Sequence, residues 1–253
     1  MDGRAIKQHR RRSRTTVSLP MWVAAFTLLA AGAAVPISGR VQDVPPDDLP
    51  VLDEAPVQQY RAYRRMHAEN EKFNQEAWLE AWTELDSRGF RYEIVNQRGS
   101  EYVLEKVLRK LLAREQELIA QGQADRAELS PENYEFVEPD SHGQGVRYVL
   151  LKPRRKDMLL VDGRMVLNQA GTELLRVEGR LAKNPSFWTS LVNVIREFER
   201  VDGVRVPVAT ESIAKLKFAG LSRMIVRYEY ESINGRPVSL SARGPVGSGA
   251  VSR

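Results

Sequence analysis

The clearest structural pattern in the chain lies near its C-terminal end, in Arg223-Met-Ile-Val-Arg-Tyr-Glu-Tyr-Glu-Ser-Ile-Asn-Gly-Arg236. Apolar or aromatic side chains occupy every second position: Met224, Val226, Tyr228 and Tyr230. The positions between them are mostly charged: Ile225, Arg227, Glu229 and Glu231. Because successive side chains of a strand point to opposite faces of a sheet, this alternation predicts an antiparallel strand with one buried face and one solvated face.

The turn that closes this stretch, Ile233-Asn-Gly-Arg236, belongs to a pattern that occurs four times. The other instances are Val161-Asp-Gly-Arg164, Val177-Glu-Gly-Arg180 and Val201-Asp-Gly-Val204. Asp-Gly and Asn-Gly tolerate the positive φ of two-residue hairpin turns, so the four instances predict an antiparallel meander. Their unequal spacing argues against a repeat protein.

One long helix is predicted from Ser100 to Gln121, with Ser100 as its N-cap and Gly122 after its end. Its apolar side chains recur at intervals of three and four residues, which favours packing on a core over a lipid-binding surface helix. These side chains are Val103, Leu104, Val107, Leu108, Leu111, Leu112, Leu118 and Ile119.

The region before this helix is expected to hold a short amphipathic helix and a hairpin. Tyr60, Tyr63, Met66 and His67 recur at helical spacing. Asp86-Ser-Arg-Gly89 is a turn signal between 77–85 and 90–95, although the first arm reads equally as a helix, since Trp78 and Trp82 are four residues apart. No long helix follows residue 122, which disfavours parallel βαβ folds.

The expected fold class is therefore α+β. We expect a single curved antiparallel sheet, a half-barrel of about seven to nine strands. The long helix and the short N-terminal helix are expected to pack on it.

Charge is concentrated at the N-terminus. The chain has 253 residues and a net charge of +5, but residues 1–16 hold six basic side chains and one acidic one. That leaves 32 of the 38 basic and 32 of the 33 acidic residues for the rest of the chain, which is neutral. A nucleic-acid partner is therefore not expected. The absence of cysteine excludes disulfides, thiolate metal sites, cysteine nucleophiles and a lipidated cysteine.

The N-terminal 34 residues have the three parts of a secretory signal peptide. The basic stretch precedes an uncharged apolar segment, residues 17–35, which ends in small residues around Ala31-Gly-Ala33. An uncleaved membrane anchor over residues 17–35 is the alternative, because the segment approaches the length that spans a bilayer. Both interpretations predict export to the periplasm, with membrane contact only through this segment or transiently.

The remaining boundaries follow from composition. Residues 35–56 are rich in proline and acidic residues and are predicted to form an extended linker. The globular domain is predicted over 57–240, and residues 241–253 form a tail of small residues.

A search for catalytic chemistry gives no supported site. Beyond His9 in the signal, the chain has only His67 and His142, and no metalloprotease, serine-hydrolase or phosphate-loop motif is present. We therefore expect a non-enzymatic protein without metal or cofactor. A basic patch of Arg154, Arg155 and Lys156 follows Pro153; a phosphate or an acidic partner could bind there, although such a run is usually only solvated.

Aromatic side chains offer a more suggestive pattern. In a closed sandwich they would all be core, whereas an open curved sheet leaves an apolar groove on its concave face. We predict that such a groove is lined by Trp78, Trp82, Phe187, Trp188, Phe198, Phe218 and Tyr228.

The C-terminal strands also resemble a known family. Val201-Asp-Gly-Val-Arg-Val-Pro-Val208, Glu211-Ser-Ile-Ala-Lys-Leu-Lys-Phe-Ala-Gly220 and Arg223-Met-Ile-Val-Arg-Tyr-Glu-Tyr-Glu-Ser-Ile-Asn234 are similar to the end of the outer-membrane lipoprotein-sorting superfamily, which includes the periplasmic lipoprotein carrier. The resemblance implies a half-barrel of antiparallel strands with helices in its mouth and acyl chains bound inside. No residue matches an acyl-contacting position of that family, so no site residue is transferred.

Two functions follow as expectations. The first is an exported, periplasmic, non-enzymatic protein that binds a lipid, an acyl chain or a lipoprotein in the groove. The alternative is an envelope protein that binds another protein through a sheet edge or the basic patch, with its own helix filling the groove.

Overall fold

The computed structural model describes residues 57–139 and 145–238. The predicted signal peptide, linker and tail, together with His142, lie outside the described residues.

The described chain is mostly β-structure with one long helix. Its strands are β1 (Tyr60–Asn70), β2 (Gln75–Asp86), β3 (Gly89–Gly99), β4 (Tyr134–Val137), β5 (Val146–Pro153), β6 (Val161–Asn168), β7 (Leu174–Leu181), β8 (Thr189–Val201), β9 (Val204–Leu216), β10 (Gly220–Ile233) and β11 (Arg236–Pro237). Helix α1 lies between β3 and β4 and has three consecutive segments: Glu101–Val103, the π-helical Leu104–Leu108, and Arg109–Ala120. A 3₁₀ turn, Ala124–Ala127, follows it.

All strands belong to one open antiparallel sheet, which has more strands than the sequence predicted. The spatial order is β3-β2-β1-β10-β9-β8-β7-β6-β5-β4, and the two-residue β11 pairs with β10. The meander predicted from the turn pattern is present from β4 to β10, and the N-terminal hairpins extend it because β1 pairs with β10. Helix α1 therefore connects the two edge strands of the sheet.

The face of the sheet that α1 contacts, here called the inner face, is buried from β2 to β5. One lateral row of cross-strand partners illustrates this, since each member of the row is less than 9% exposed. From β2 to β5 the row is Leu79, Met66, Val226, Thr210, Arg196, Val177, Met165 and Val149.

The prediction of a short N-terminal helix is wrong, because its residues form strand β1. Tyr60, Ala62, Arg64, Met66 and Ala68 alternate as the buried side chains of that strand. The alternation is hidden in the sequence because a charged residue, Arg64, occupies an inner position. The open choice for residues 77–85 is settled in favour of a strand, β2.

Two of the four predicted turns are also wrong. Asp202-Gly203 and Asn234-Gly235 adopt positive φ at both residues, as the hairpin pattern requires. Gly163 and Gly179 instead lie inside β6 and β7, where they are direct cross-strand partners. A Cβ on Gly163 would lie 2.6 Å from the Gly179 Cα, so these glycines allow close approach of two backbones.

The predicted long helix is confirmed. The Ser100 hydroxyl accepts a hydrogen bond from the Val103 amide at 3.4 Å, as expected of an N-cap. Val103, Leu104 and Leu108 pack into the largest apolar cluster, which also contains inner-face residues of β1, β2, β3, β9 and β10. A second cluster forms around β4 to β7 and a third between β8 and β9.

Candidate functional site

Exposed aromatic residues collect at one end of the sheet, where three neighbouring strand connections meet. These are the β1–β2 turn, the β7–β8 loop and the β9–β10 turn, and we call residues 70–74, 183–190 and 215–221 together the aromatic tip. The Trp188 ring lies 5.4 Å from the Phe187 ring and 5.4 Å from the Phe218 ring. The register of β8 on β9, in which Thr189 pairs with Leu216, brings these side chains together.

Hydrogen bonds tie the three connections of the aromatic tip to one another. The Asn70 amide donates to the Ala219 and Leu221 carbonyls at 2.9 and 3.2 Å. The Lys72 ammonium donates to the Phe218 carbonyl at 2.8 Å, and the Lys217 amide donates to the Trp188 carbonyl at 2.9 Å. The aromatic side chains are therefore presented on a fixed backbone.

The side chains of the tip are unusually exposed for their type. Phe187 is 76% exposed, Phe218 64%, Phe73 52% and Leu221 45%. Isolated exposed apolar residues are normal on a protein surface, whereas several at one end of the sheet form a patch that is typical of an interaction site.

The aromatic tip also carries a net positive charge. The tip contains four exposed lysines and a single acidic residue, Glu71, which gives it a net charge of +3. The Lys217 ammonium lies 3.6 Å from the centroid of the Phe187 ring. The lysines are Lys72, Lys183, Lys215 and Lys217.

The inner face carries a buried ion pair that fixes α1 to the sheet. The Arg64 guanidinium donates to both carboxylate oxygens of Glu115, at 2.6 and 2.9 Å, and the two side chains are 0% and 1% exposed. Arg64 also donates to the Tyr60 hydroxyl at 2.7 Å and lies over the Tyr228 ring. Burial lowers the pKa of Arg64, but the Glu115 carboxylate outweighs burial and holds that pKa well above its usual value.

A second arginine, Arg196 on β8, is also buried on the inner face but has no such partner. It is 7% exposed, and its one hydrogen bond within the described residues runs from Nε to the Thr210 hydroxyl at 3.3 Å. Its Nη1 atom is buried without a hydrogen-bond partner. Burial lowers the pKa of this guanidinium, and only tyrosines and the already paired Glu115 oppose the shift.

The predicted groove residues do not share one surface. Tyr228 and Phe198 lie on the inner face, each in a core cluster or packed against one. Trp78 and Trp82 lie on the opposite face of β2, where Trp78 stacks on His67 and Trp82 makes an edge contact with Tyr63. Phe187, Trp188 and Phe218 are together, but at the aromatic tip.

The predicted basic patch is largely engaged in internal contacts. Arg154 donates to the Pro131 and Tyr134 carbonyls, and Arg155 donates to the Asn133 side chain at 2.6 Å and to the Arg126 carbonyl at 2.9 Å. Lys156 is exposed. The two arginines thus hold the segment after α1 against the end of β5.

A possible cation site lies on the outer face. One ligand atom from each of His67, Glu69 and Glu76 lies within 4.8 Å of the others, and these residue types bind divalent cations. The imidazole also stacks on Trp78 at 4.6 Å. Exposed acidic groups are common, and nothing further in the structure points to a metal here.

Glu115 and Arg196 are absent from the residues predicted from the sequence, although each carries a signal there. Glu115 lies four residues after Leu111 and three before Leu118, inside the apolar stripe of α1. Arg196 continues the alternation of Val192 and Val194 on β8. A charged residue at a position that the periodicity assigns to the core is the pattern to look for.

No helix within residues 57–139 and 145–238 is both long enough and apolar enough to span a bilayer.

Comparison with known proteins assigns no family. No family model and no curated protein matches the chain. Among solved structures, the chain is similar to a DUF1329 family protein from Desulfovibrio piger, with a TM-score of 0.32 and 9% identity, over 68% of this chain and 84% of that one. The resemblance to the lipoprotein-sorting superfamily is not confirmed.

Proposed function

We propose that this protein is an exported, non-enzymatic lipid-binding protein that docks its aromatic tip on an anionic phospholipid surface. The observation that carries the proposal is the cluster of the exposed Phe187 and Phe218 with the partly exposed Trp188, beside the exposed lysines of the same tip. The lipid function predicted from the sequence is retained, but its location moves from a groove to the end of the sheet.

The composition of the tip suits the boundary between headgroups and acyl chains. Aromatic rings are favoured at that boundary, and lysines extend their ammonium groups towards phosphates. Burying one Phe side chain contributes about 1.5–3 kcal/mol, and each lysine near an anionic surface adds about 1 kcal/mol. Several such residues on one fixed platform supply enough for reversible membrane binding.

We further propose that the open sheet curves into a half-barrel around α1. Ten strands laid flat would span about 43 Å, whereas a helix of this length extends about 30 Å. One helix could not cover the inner face of a flat sheet, yet that face is buried from β2 to β5.

Vesicle co-sedimentation tests the docking. The protein, purified as the cell exports it, is mixed with neutral phosphatidylcholine vesicles or with vesicles that also contain phosphatidylglycerol. We expect binding to the anionic vesicles that weakens with salt, and a loss of at least tenfold in Phe187→Ser/Phe218→Ser. Val95→Ser is the matched control, because Val95 is 54% exposed but lies on β3. Equal binding by the double variant and the control would contradict the proposal.

The alternative, an envelope protein-binding module, is supported by one observation: the inner face is covered by the protein's own side chains and helix. A stoichiometric protein partner recovered with wild-type protein and lost in Phe187→Ser/Phe218→Ser, without vesicle binding, would favour it.

A further inference from the structure

Arg196 is a buried positive charge without a buried negative charge of its own. Four charged side chains of the described residues are buried: Arg64, Glu115, Asp157 and Arg196. Glu115 is occupied by Arg64, and Asp157 accepts from Arg126 at 2.6 Å and from Arg155 at 3.4 Å. Arg196 alone among the four lacks a carboxylate.

Burying the Arg196 guanidinium without a carboxylate destabilises the folded protein unless another group supplies the negative charge. A guanidinium has five N–H donors, and a neutral threonine hydroxyl satisfies only one of those of Arg196. A buried ion that lacks its partner is strongly destabilising, whereas an apolar side chain of the same volume at that place is often neutral or stabilising. The stability of the fold therefore does not explain why a charged side chain occupies position 196.

We propose that Arg196 is the anchor of an interior oxyanion-binding site, which takes a carboxylate or a phosphate group. The fork of N–H donors matches the paired oxygens of either group, and bidentate contacts of this kind are among the strongest hydrogen bonds in proteins. This site lies on the inner face and is independent of the proposed docking of the aromatic tip.

The surroundings of Arg196 contain a second donor for such an anion. The Tyr134 hydroxyl accepts a hydrogen bond from the Val161 amide at 2.9 Å and, within the described part of the chain, donates none. Tyr134 belongs to the same apolar cluster as Val177, which is the cross-strand partner of Arg196. Tyr230, by contrast, already donates to the Pro207 carbonyl at 3.0 Å.

Thermal unfolding of the full chain in matched salts tests the site without vesicles. Sodium phosphate, acetate and decanoate are each compared with sodium chloride at equal ionic strength. We expect at least one oxyanion to raise the Tm of the wild type by several degrees over chloride. A response to phosphate or acetate identifies a free small anion, and a response to decanoate alone identifies an amphiphile whose chain also contributes.

Variants separate a ligand site from a structural arginine. Arg196→Met is expected to unfold in chloride at the wild-type temperature or above it and to lose the oxyanion response. Arg180→Met is the matched control, because Arg180 is an exposed arginine paired with Asp162, and it should keep the response. Thr210→Val should also keep it, since that change removes only the neutral partner.

Three results would overturn the proposal: no oxyanion response in the wild type, an unchanged response in Arg196→Met, or an Arg196→Met protein that fails to fold or unfolds at a lower temperature in chloride. The vesicle experiment has no bearing on these outcomes, so the two proposals fail separately.

Discussion

At the scale of single residues, charge buried on the inner face governs how α1 is held. Arg64 and Glu115 form a bidentate pair with almost no exposure, so the charge of each side chain compensates the lost hydration of the other. The pair fixes the position and rotation of the helix on β1, while the apolar cluster around Leu108 supplies the area that is buried.

Replacing one member of the Arg64–Glu115 pair should lower the free energy of unfolding far more than replacing both. We expect Glu115→Leu to lower the free energy of unfolding by about 3–5 kcal/mol, because the Arg64 charge stays buried without a partner. Arg64→Met combined with Glu115→Leu should recover most of that loss. Urea unfolding of the two proteins checks this, and a double variant as unstable as the single one would contradict it.

Glu128 gives a pH dependence with a defined sign. Burial, with the nearby Asp125 and Glu132 carboxylates, raises the pKa of Glu128 to about 6. A carboxyl whose pKa is higher in the folded state binds more protons there, so its contribution to stability is lost as pH rises through the range up to about 6. Unfolding of wild type and Glu128→Gln at a series of pH values should show this loss in the wild type alone. Parallel curves for the two proteins would contradict the assignment.

At the scale of elements, the β6–β7 pairing depends on two facing glycines. A Cβ on Gly163 would lie 2.1 Å from the Glu178 carbonyl oxygen, which is backbone and cannot move aside. Gly163→Ala should therefore lower the free energy of unfolding by about 1–3 kcal/mol or more. Asp162→Ala, at the next position with an exposed pair to Arg180, should cost less than about 1 kcal/mol. Similar unfolding midpoints for the two variants would contradict this role of the glycines.

The elements also show where sequence patterns succeed and where they fail. Alternation located β10 correctly, because its inner positions Met224, Val226, Tyr228 and Tyr230 are filled by apolar or aromatic side chains. It failed for β1, where Arg64 faces inward, since a periodicity argument treats every charged residue as exposed. The pairs Asp162-Gly163 and Glu178-Gly179 predicted turns, but a glycine also allows close contact between two strands.

The candidate site was predictable only in part for a related reason. The sequence named aromatic residues as site candidates, but the face of the sheet that each side chain occupies depends on strand register. That register places Trp78 and Trp82 on the outer face and Phe198 on the inner face. Phe187, Trp188 and Phe218 meet only because two connections lie at the same end of the sheet. That proximity is a property of the assembled topology and not of any local pattern.

At the scale of the whole molecule, the structure has two distinct regions with different chemistry. The inner face encloses charge under a helix, and the aromatic tip exposes rings and lysines at the end of β7 to β10. We propose that the tip enters the boundary region of an anionic bilayer while the faces of the sheet remain in water.

Fluorescence quenching by brominated phospholipid detects insertion of the tip, because it reports on one side chain at a time. The chain has four tryptophans, so Trp22→Phe, Trp78→Phe and Trp82→Phe leave Trp188 as the reporter at the tip. The matched protein keeps Trp78 instead, and attachment through residues 17–35 would affect both proteins. On anionic vesicles we expect Trp188 emission to shift to shorter wavelength and to be quenched, while Trp78 emission stays unchanged. Unquenched Trp188, or equal quenching of the two reporters, would contradict the account.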